Sequence, residues 1–482
     1  MILLNTKKEC SGCSACAGTC PARCIRMEED AEGFLYPAVQ ADACIGCGLC
    51  ERICPMRHPA SERMPSEVWA ARNNDTATRI GSSSGGIFLP LARLTLRKGG
   101  LVFGAAFESD TFGGGTIRHR SAACEEELAA LAKSKYAQSD TSGTFREVAR
   151  ALDLGREVLY TGTPCQIAGL RAFLRGRSTD RLVTAECLCH GAPSPGLLRR
   201  YLQELTGGHP ILGIDFRDKR GGWRRYRFTV RTARRTYSIA ARKDPYLRAF
   251  LNDLTLRPSC YACPFKSGRS GSDLSLGDFW NVREVLPGFD DDRGTSLVLA
   301  YTQSGAGRLA ELFAATDESG RPAFDSQRLE WNGRIRRHNG GFKTEIEIPA
   351  ARAALFDELA VSGRVTRPLL RRVWPGRIQR FKRELHRIMA YKHHRPIHEN
   401  RTTDPAAQLQ LRRRSLGLCA EEPPLPPGAR GVAHRQPQTP QTGEQRLPED
   451  RPAPERGVAL PPQGDLRRDE HPADAGLQEI GD

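Results

Sequence analysis

Between about residues 81 and 330 the apolar residues alternate between two rhythms. VLYTG (158–162) is a short continuous apolar run that reads as a buried strand, and CQIAGLRAFLRG (165–176) spaces its apolar residues as a helix. RLVTAECLC (181–189) predicts the next strand. SPGLLRRYLQEL (194–205) predicts the next helix, with Ser194 as N-cap and Pro195 at the first helical position. This βαβα order predicts a parallel sheet covered by helices. The segments 211–217, 225–231 and 234–240 read as antiparallel additions.

Outside that stretch the rhythm breaks. Residues 1–58 are loop-rich and Cys-dense, and residues 59–80 read as a linker. Residues 331–401 read as a basic helical region. Within it Trp374, Ile378, Phe381, Leu385 and Ile388 fall at spacings of 4, 3, 4 and 3 and form one apolar helical stripe. Two readings fit the stripe: it docks on the protein's own core, or it rests on an anionic membrane surface through 364–401. From 402 to 482 there are 13 of the 32 prolines, and no Phe, Trp or Tyr follows Tyr391. Such a segment buries too little apolar surface to offset chain entropy and reads as a disordered tail.

Charge sharpens this division. The formal net charge is +16, but residues 364–401 alone hold 12 Lys/Arg against 2 Asp/Glu. A nucleic-acid surface would spread its basicity differently, so nucleic acid is not expected as a partner. The N-terminus, MILLNTKKEC, has no apolar signal segment, and no run of 18 apolar residues predicts a spanning helix. The expected compartment is the cytoplasm. There, 16 cysteines point to metal binding rather than to disulfides.

Two of the cysteine groups share one spacing. CSGCSACAGTCP holds Cys10, Cys13, Cys16 and Cys20, and CIGCGLCERICP holds Cys44, Cys47, Cys50 and Cys54. Both are Cys-x2-Cys-x2-Cys-x3-Cys-Pro, the run of bacterial ferredoxins with two [4Fe–4S] clusters. Three closely spaced thiolates cap one cubane, and the fourth cysteine reaches the other. Cys10, Cys13, Cys16 and Cys54 should therefore hold one cluster, and Cys44, Cys47, Cys50 and Cys20 the second. Zinc, which usually takes two Cys-x2-Cys pairs, fits two identical quartets poorly. Gly12, Gly46 and Gly48 suit the tight loops, GFLYPAV (33–39) suits a hairpin arm, and Cys24 reads as a packed thiol.

Further on, Cys165 (in TGTPCQ) and Cys189 (in CLCHGAPS) each follow a predicted strand, and Cys260 and Cys263 form the clip SCYACPF. In a parallel sheet Cys165 and Cys189 would lie at the carboxyl edge, where open α/β folds bind ligands. The four could hold a third cluster or be unconnected core thiols. Cys187 competes with Cys189, because residues two apart on a strand share a face.

The ordered motifs SSSGGIF, KSKYAQSD, GTPCQIAGL, CHGAPS, FRDKRGGW, SCYACPF and LGDFW resemble the beta subunit of coenzyme F-420 (deazaflavin) hydrogenases and dehydrogenases. The likeness is to bacterial members with a fused two-cluster ferredoxin, and it covers roughly residues 5–330. It implies FAD beside the clusters and assigns the third cluster to Cys165, Cys189, Cys260 and Cys263. It leaves the substrate open: some relatives reduce deazaflavin, others chlorophyll-type pigments, and bacterial fused members often accompany surface-polysaccharide genes.

With that resemblance, Ser83, Ser84, Gly85 and Gly86 read as a flavin phosphate cradle, and otherwise as a helix cap. Lys133, Lys135, Tyr136, Gln138 and Ser139 read as flavin contacts, and otherwise as an exposed polar turn. Lys135 would stabilise reduced flavin, and His190 could pass a proton or make a structural hydrogen bond. Asp278 and Trp280 could line the cluster-to-flavin wall. The expected architecture is α/β: a ferredoxin domain (1–58), a linker (59–80), a mixed α/β flavin and iron–sulfur domain (81–330), the basic helices and the tail. The expected function is electron passage between [4Fe–4S] clusters, FAD and an organic two-electron substrate, served by an electron donor or acceptor protein. The rivals are a non-enzymatic carrier subunit and a redox protein of surface-polysaccharide synthesis.

Overall fold

The computed structural model describes residues 1–374. The ferredoxin-like segment is a compact knot of loops with a two-stranded antiparallel arm. The arm joins β1 (Ile25–Glu29) and β2 (Leu35–Val39), pairing Ile25 with Val39. Gly12, Gly46 and Gly48 take left-handed φ values of 72°, 69° and 70°, a conformation side chains resist, which lets the cysteine loops turn tightly.

The remaining strands are β3 (Glu67–Asn73), β4 (Leu101–Ser109), β5 (Gly115–Ala122), β6 (Val158–Gly162) and β7 (Leu182–Cys187). They continue with β8 (Ile211–Asp218), β9 (Arg227–Thr232), β10 (Thr236–Ala240), β11 (Leu274–Asp278), β12 (Ser296–Ala300) and β13 (Phe324–Leu329). Eight form one mixed sheet in the order β13-β3-β12-β11-β7-β6-β4-β5. The predicted parallel sheet is confined to β4, β6, β7 and β11, with antiparallel pairings on either side. The expected antiparallel additions form a separate three-stranded sheet, β10-β9-β8.

Helices cover both faces. On one, Leu91 of Phe88–Arg97 and Leu309 of Gln303–Phe313 pack over Val102, Leu159, Val183 and Leu274. On the other, Phe145 of Thr144–Asp153 and Ile167 of Pro164–Phe173 pack over Phe103, Tyr160 and Leu182. The latter helix begins where Pro164 removes an unneeded N–H and Gln166 Oε1 accepts from the Thr163 amide at 2.9 Å. The next helix, Pro195–Thr206, is capped by Ser194, whose Oγ accepts from Leu197 N at 3.0 Å.

Two expected boundaries are corrected. The linker 59–80 contains β3, which lies inside the sheet between β13 and β12 with Val68, Ala70 and Ala71 buried. Its short run EVWAARN gains strand structure from partners more than 200 residues away, a tertiary cause that local pattern does not carry. Residues 331–374 are not a separate region. Leu355, Leu359, Leu369 and Val373 share a core with Leu197, Tyr201 and Phe216. Trp374, first residue of the predicted stripe, packs on that core with the Arg248 guanidinium 4.6 Å from its ring centre. This favours docking over membrane contact for residues 366–374. The rest of the stripe and the tail 402–482 lie outside the described residues. No helix among those described is long and apolar enough to cross a membrane.

Candidate functional site

The cysteines gather as three quartets. Cys20, Cys44, Cys47 and Cys50 line one small cavity together with Cys24, Ile25 and Ile45. Cys10, Cys13, Cys16 and Cys54 face one another. Burial first, then Cys10 and Cys54, push the Cys13 thiol up to about 12, and burial with Cys13, Cys10 and Cys54 raises Cys16 further. Cys24 is buried beside Cys20, 3.4 Å from its sulfur.

The third group also converges. Burial holds the Cys165 thiol far above its ordinary value, and the neighbouring Cys263, Cys189 and Cys260 act in the same direction. Thr163 Oγ1 lies 3.1 Å from the Cys165 sulfur, and Ala192 N donates to Cys260 at 3.4 Å. Cys187 sits at the exposed end of β7 and presses on Cys189 rather than on Cys165. Metal binding exchanges thiol protons for the cation, so cysteines grouped in this way are of a kind suited to an iron–sulfur core. Among the described residues no three His, Cys, Asp or Glu side chains close on a point fit for a single ion.

The quartets stand in series. Cys13 belongs to the same apolar core as Phe145 and Tyr160. Its sulfur lies where a side chain at Gly169 would begin: an added Cβ would come within 2.9 Å. Gly169 and Cys165 are one turn apart on one helix, so two quartets meet across Pro164–Phe173. A buried arginine seals this junction. Arg257 Nε donates to Cys10 O at 2.7 Å, Nη1 to Gln138 Oε1 at 2.9 Å and Nη2 to Leu35 O at 3.0 Å. Gln138 Nε2 in turn donates to Ser11 O at 2.7 Å. Gln138, expected at the flavin, thus faces the ferredoxin loops instead.

Beyond the third quartet a cavity of about 410 Å³ opens at the carboxyl ends of β4, β6, β7 and β11, where Thr161, Cys187 and Asp278 line it. Ser83, Ser84, Gly86, Lys133, Lys135, Tyr136, Ser139, Cys189 and His190 line it too. Ser83 Oγ accepts from Ser134 N at 2.7 Å, so SSSGGIF and KSKYAQSD form one wall. Gly85 is turned away: its N donates to Ser296 Oγ at 3.0 Å, and a Cβ there would collide with Ala71 O. Ser139 reaches the cavity but its Oγ is engaged, 2.9 Å from His119 Nδ1 and from Gln166 Nε2.

The wall is cationic. Lys133 pairs with Asp215 at 2.6 Å, whereas among the described residues Lys135 Nζ donates to the Ala132 carbonyl alone, at 2.6 Å. Burial, then Lys133, depress Lys135 to about 7 against the pull of Asp215. His190 Nε2 lies 2.7 Å from Asp253 Oδ1, and its ring meets Phe250 edge-on at 5.2 Å. His190 thus lines the cavity close to a carboxylate, but neither its Nε2 nor Asp253 Oδ1 makes a hydrogen bond among the described residues.

Local pattern passed over other members of the site. Arg217, in FRDKRGGW, lines the cavity while fully buried, paired with Asp278 and lying 5.0 Å from the Trp280 ring centre. Its Nε and Nη2 have no hydrogen-bond partner. Lys219 fastens the back of the serine loop, with Nζ 2.6 Å from Arg79 O and Ser84 O. Asn339, Gly340 and Gly341 complete the wall from beyond residue 330. Only the recurrence of positive charge and glycine in those motifs hinted at these roles.

Comparison with known proteins now bears on this arrangement. Residues 9–57 match the family described as a 4Fe-4S dicluster domain, and residues 155–320 match the C-terminal part of the beta subunit of coenzyme F420 hydrogenase/dehydrogenase. The chain is an iron–sulfur redox protein related to F420 hydrogenase beta subunits, with a 4Fe-4S dicluster domain in front. No curated protein matches it. Among solved structures, the F420-reducing [NiFe] hydrogenase complex from Methanosarcina barkeri contains a chain with 18% identity and a TM-score of 0.38, covering 56% of this chain and 83% of that one.

Proposed function

We propose that the chain is an iron–sulfur flavoprotein oxidoreductase that passes electrons between a protein partner and an organic two-electron acceptor of deazaflavin type. The serial placement of the quartets carries this reading: Cys13 abuts the helix that bears Cys165, and Cys189 stands at the cavity wall. Cys20, Cys44, Cys47 and Cys50 would hold the outer [4Fe–4S] cluster, Cys10, Cys13, Cys16 and Cys54 the middle one, and Cys165, Cys189, Cys260 and Cys263 a third. FAD in the cavity would supply the exchange between single electrons and a hydride.

The chain's own groups suit such a ligand. Arg217 offers buried donors without partners, which a cofactor carbonyl or phosphate oxygen would satisfy. Lys135, held near neutrality, can take a proton as negative charge arrives beside it. His190, with the Asp253 carboxylate close by, can deliver or accept a proton at the cavity surface. Ser83, Ser84 and Gly86 lead into the helix Phe88–Arg97 and suit a phosphate.

The test is anaerobic purification with iron, sulfide and flavin analysis, followed by turnover of deazaflavin with dithionite or reduced ferredoxin. The expected result is about twelve irons, one non-covalent FAD, turnover by the isolated chain, and strong loss in His190→Ala and Lys135→Ala. Bound flavin with no turnover of several acceptors until a second protein is added would instead establish a carrier subunit. Absence of flavin would overturn the flavoprotein reading.

A further inference from the structure

Lys266 is buried to 2% exposure, and every partner of its Nζ among the described residues is a backbone carbonyl. His190 O lies 3.0 Å away, Lys343 O 2.7 Å and Gly340 O 3.4 Å. Carbonyl dipoles solvate an ammonium only in part. A buried cation without a carboxylate is rare because leaving water is costly unless a negative charge stands nearby. Arg217, Arg79 and Arg352 have the carboxylates of Asp278, Asp291 and Glu32, whereas Lys219 and Arg257, like Lys266, are met by neutral oxygens among the described residues.

Cysteines adjoin Lys266 and its partner His190 along the chain. Lys266 stands three residues after Cys263, and His190 adjoins Cys189. The ammonium also pulls the thiols of Cys189, Cys260 and Cys263 downward, against the burial and crowding that raise them. The uncompensated charge is therefore set beside the quartet next to the cavity.

We infer that Lys266 is the fixed counter-charge of the third thiolate quartet, a positioning residue that raises the reduction potential of the cluster bound there. This inference rests on the proposed third cluster. Four thiolates outweigh the positive charge of the cubane, and each electron taken up adds negative charge. A cation in a low-dielectric wall stabilises the reduced form more than the oxidised one, so it eases uptake of one electron.

The experiment is a dithionite titration of the full chain with redox mediators, followed by EPR, on wild type, Lys266→Met and Lys266→Arg. Cys263→Ser marks the signal that belongs to the third quartet. In Lys266→Met that signal should shift to lower potential by at least about 59 mV, a tenfold loss in the one-electron reduction equilibrium. The two ferredoxin signals should stay in place, and Lys266→Arg should restore most of the shift. Should Lys266→Met lose four irons while Lys266→Arg keeps them, the need for the charge is equally supported. Twelve irons with an unmoved midpoint overturn the inference alone, as does equal loss of iron in both variants, which marks a packing role. A wild-type chain with only eight irons overturns the third cluster and this inference together.

Discussion

Replacing Gly169 by alanine tests whether the ferredoxin loops are built onto the α/β sheet or merely tethered to it. Alanine in a helix interior ordinarily stabilises by about 1 kcal/mol over glycine, because glycine gives up more backbone freedom on folding. At 169 the new methyl would lie 2.8 Å from Cys13 Cβ, 2.9 Å from its sulfur and 3.4 Å from Phe145 Cε2. Normal carbon contacts are roughly 3.5–4.0 Å, so the cysteine loop must give way by most of an ångström. Overpacking of that kind costs about 1–3 kcal/mol. The net expectation is a loss of roughly 0–2 kcal/mol and slackening of the Cys10, Cys13, Cys16, Cys54 quartet. Gly307 is the internal control. It lies within the helix Gln303–Phe313 and has no atom within 4 Å of its would-be Cβ. Gly307→Ala should raise the thermal transition of the anaerobic holoprotein, whereas Gly169→Ala should lower it and speed iron release to a chelator. If Gly169→Ala stabilises as much as Gly307→Ala and leaves iron release unchanged, the close approach of Cys13 to this helix is wrong.

Three further outcomes follow from the same geometry. Cys13→Ala with Cys47→Ala should reduce iron from about twelve to about four per chain while bound flavin is retained, measured by iron analysis and flavin absorbance. Arg257→Met strands the carbonyls of Cys10 and Leu35 and the Gln138 amide oxygen, each worth about 1–3 kcal/mol when unsatisfied, so limited proteolysis should cut between residues 58 and 67 far sooner than in wild type. Lys135 titrates near 7 in the folded ligand-free chain against an ordinary 10.5. Its burial penalty is therefore full below about 7 and fades between 7 and 10.5, so this group makes the ligand-free chain more stable as pH rises through that window. An anionic ligand favours the protonated form, so flavin affinity measured by fluorescence should fall as pH rises through 7, and Lys135→Met should flatten that dependence.

The chemistry of the chain was more legible than its packing. Cysteine spacing marked the dicluster segment, and residues 9–57 match a 4Fe-4S dicluster domain. The strands at 158–162 and 182–187 and the Ser194 cap stood where apolar rhythm and capping residues put them. What escaped depends on distant partners. EVWAARN becomes β3 only between β12 and β13, and Gln138 turns from the cavity because Arg257, 119 residues on, and Ser11 claim its amide. FRDKRGGW carried the resemblance without a role for Arg217 or Lys219; their burial follows from β8 running beneath the serine loop. Gly85 shows the same limit, since the spacing that suggests a cradle equally serves close packing on the sheet.

These contacts bear on what a domain boundary means here. Residues 9–57 match a dicluster family of their own, yet Cys13 and Ala15 belong to the core that covers one face of the sheet. Glu32, at the tip of the ferredoxin arm, pairs with Arg352 from the helix Ala351–Val361, and Ser194 Oγ reaches Glu32 O. A ferredoxin that delivers electrons by diffusion keeps its cluster loops covered by its own chain or open to a partner. Here the Cys13 loop is covered by the helix bearing Cys165, while Cys47 and the 69% exposed Ile45 at the outer quartet face solvent. Under the proposed function, exchange with a partner protein would be directed to the outer quartet, and the inner junction is fixed by packing rather than by encounter. A fixed junction requires no docking step, at the expense of a ferredoxin segment that can no longer be exchanged as a unit.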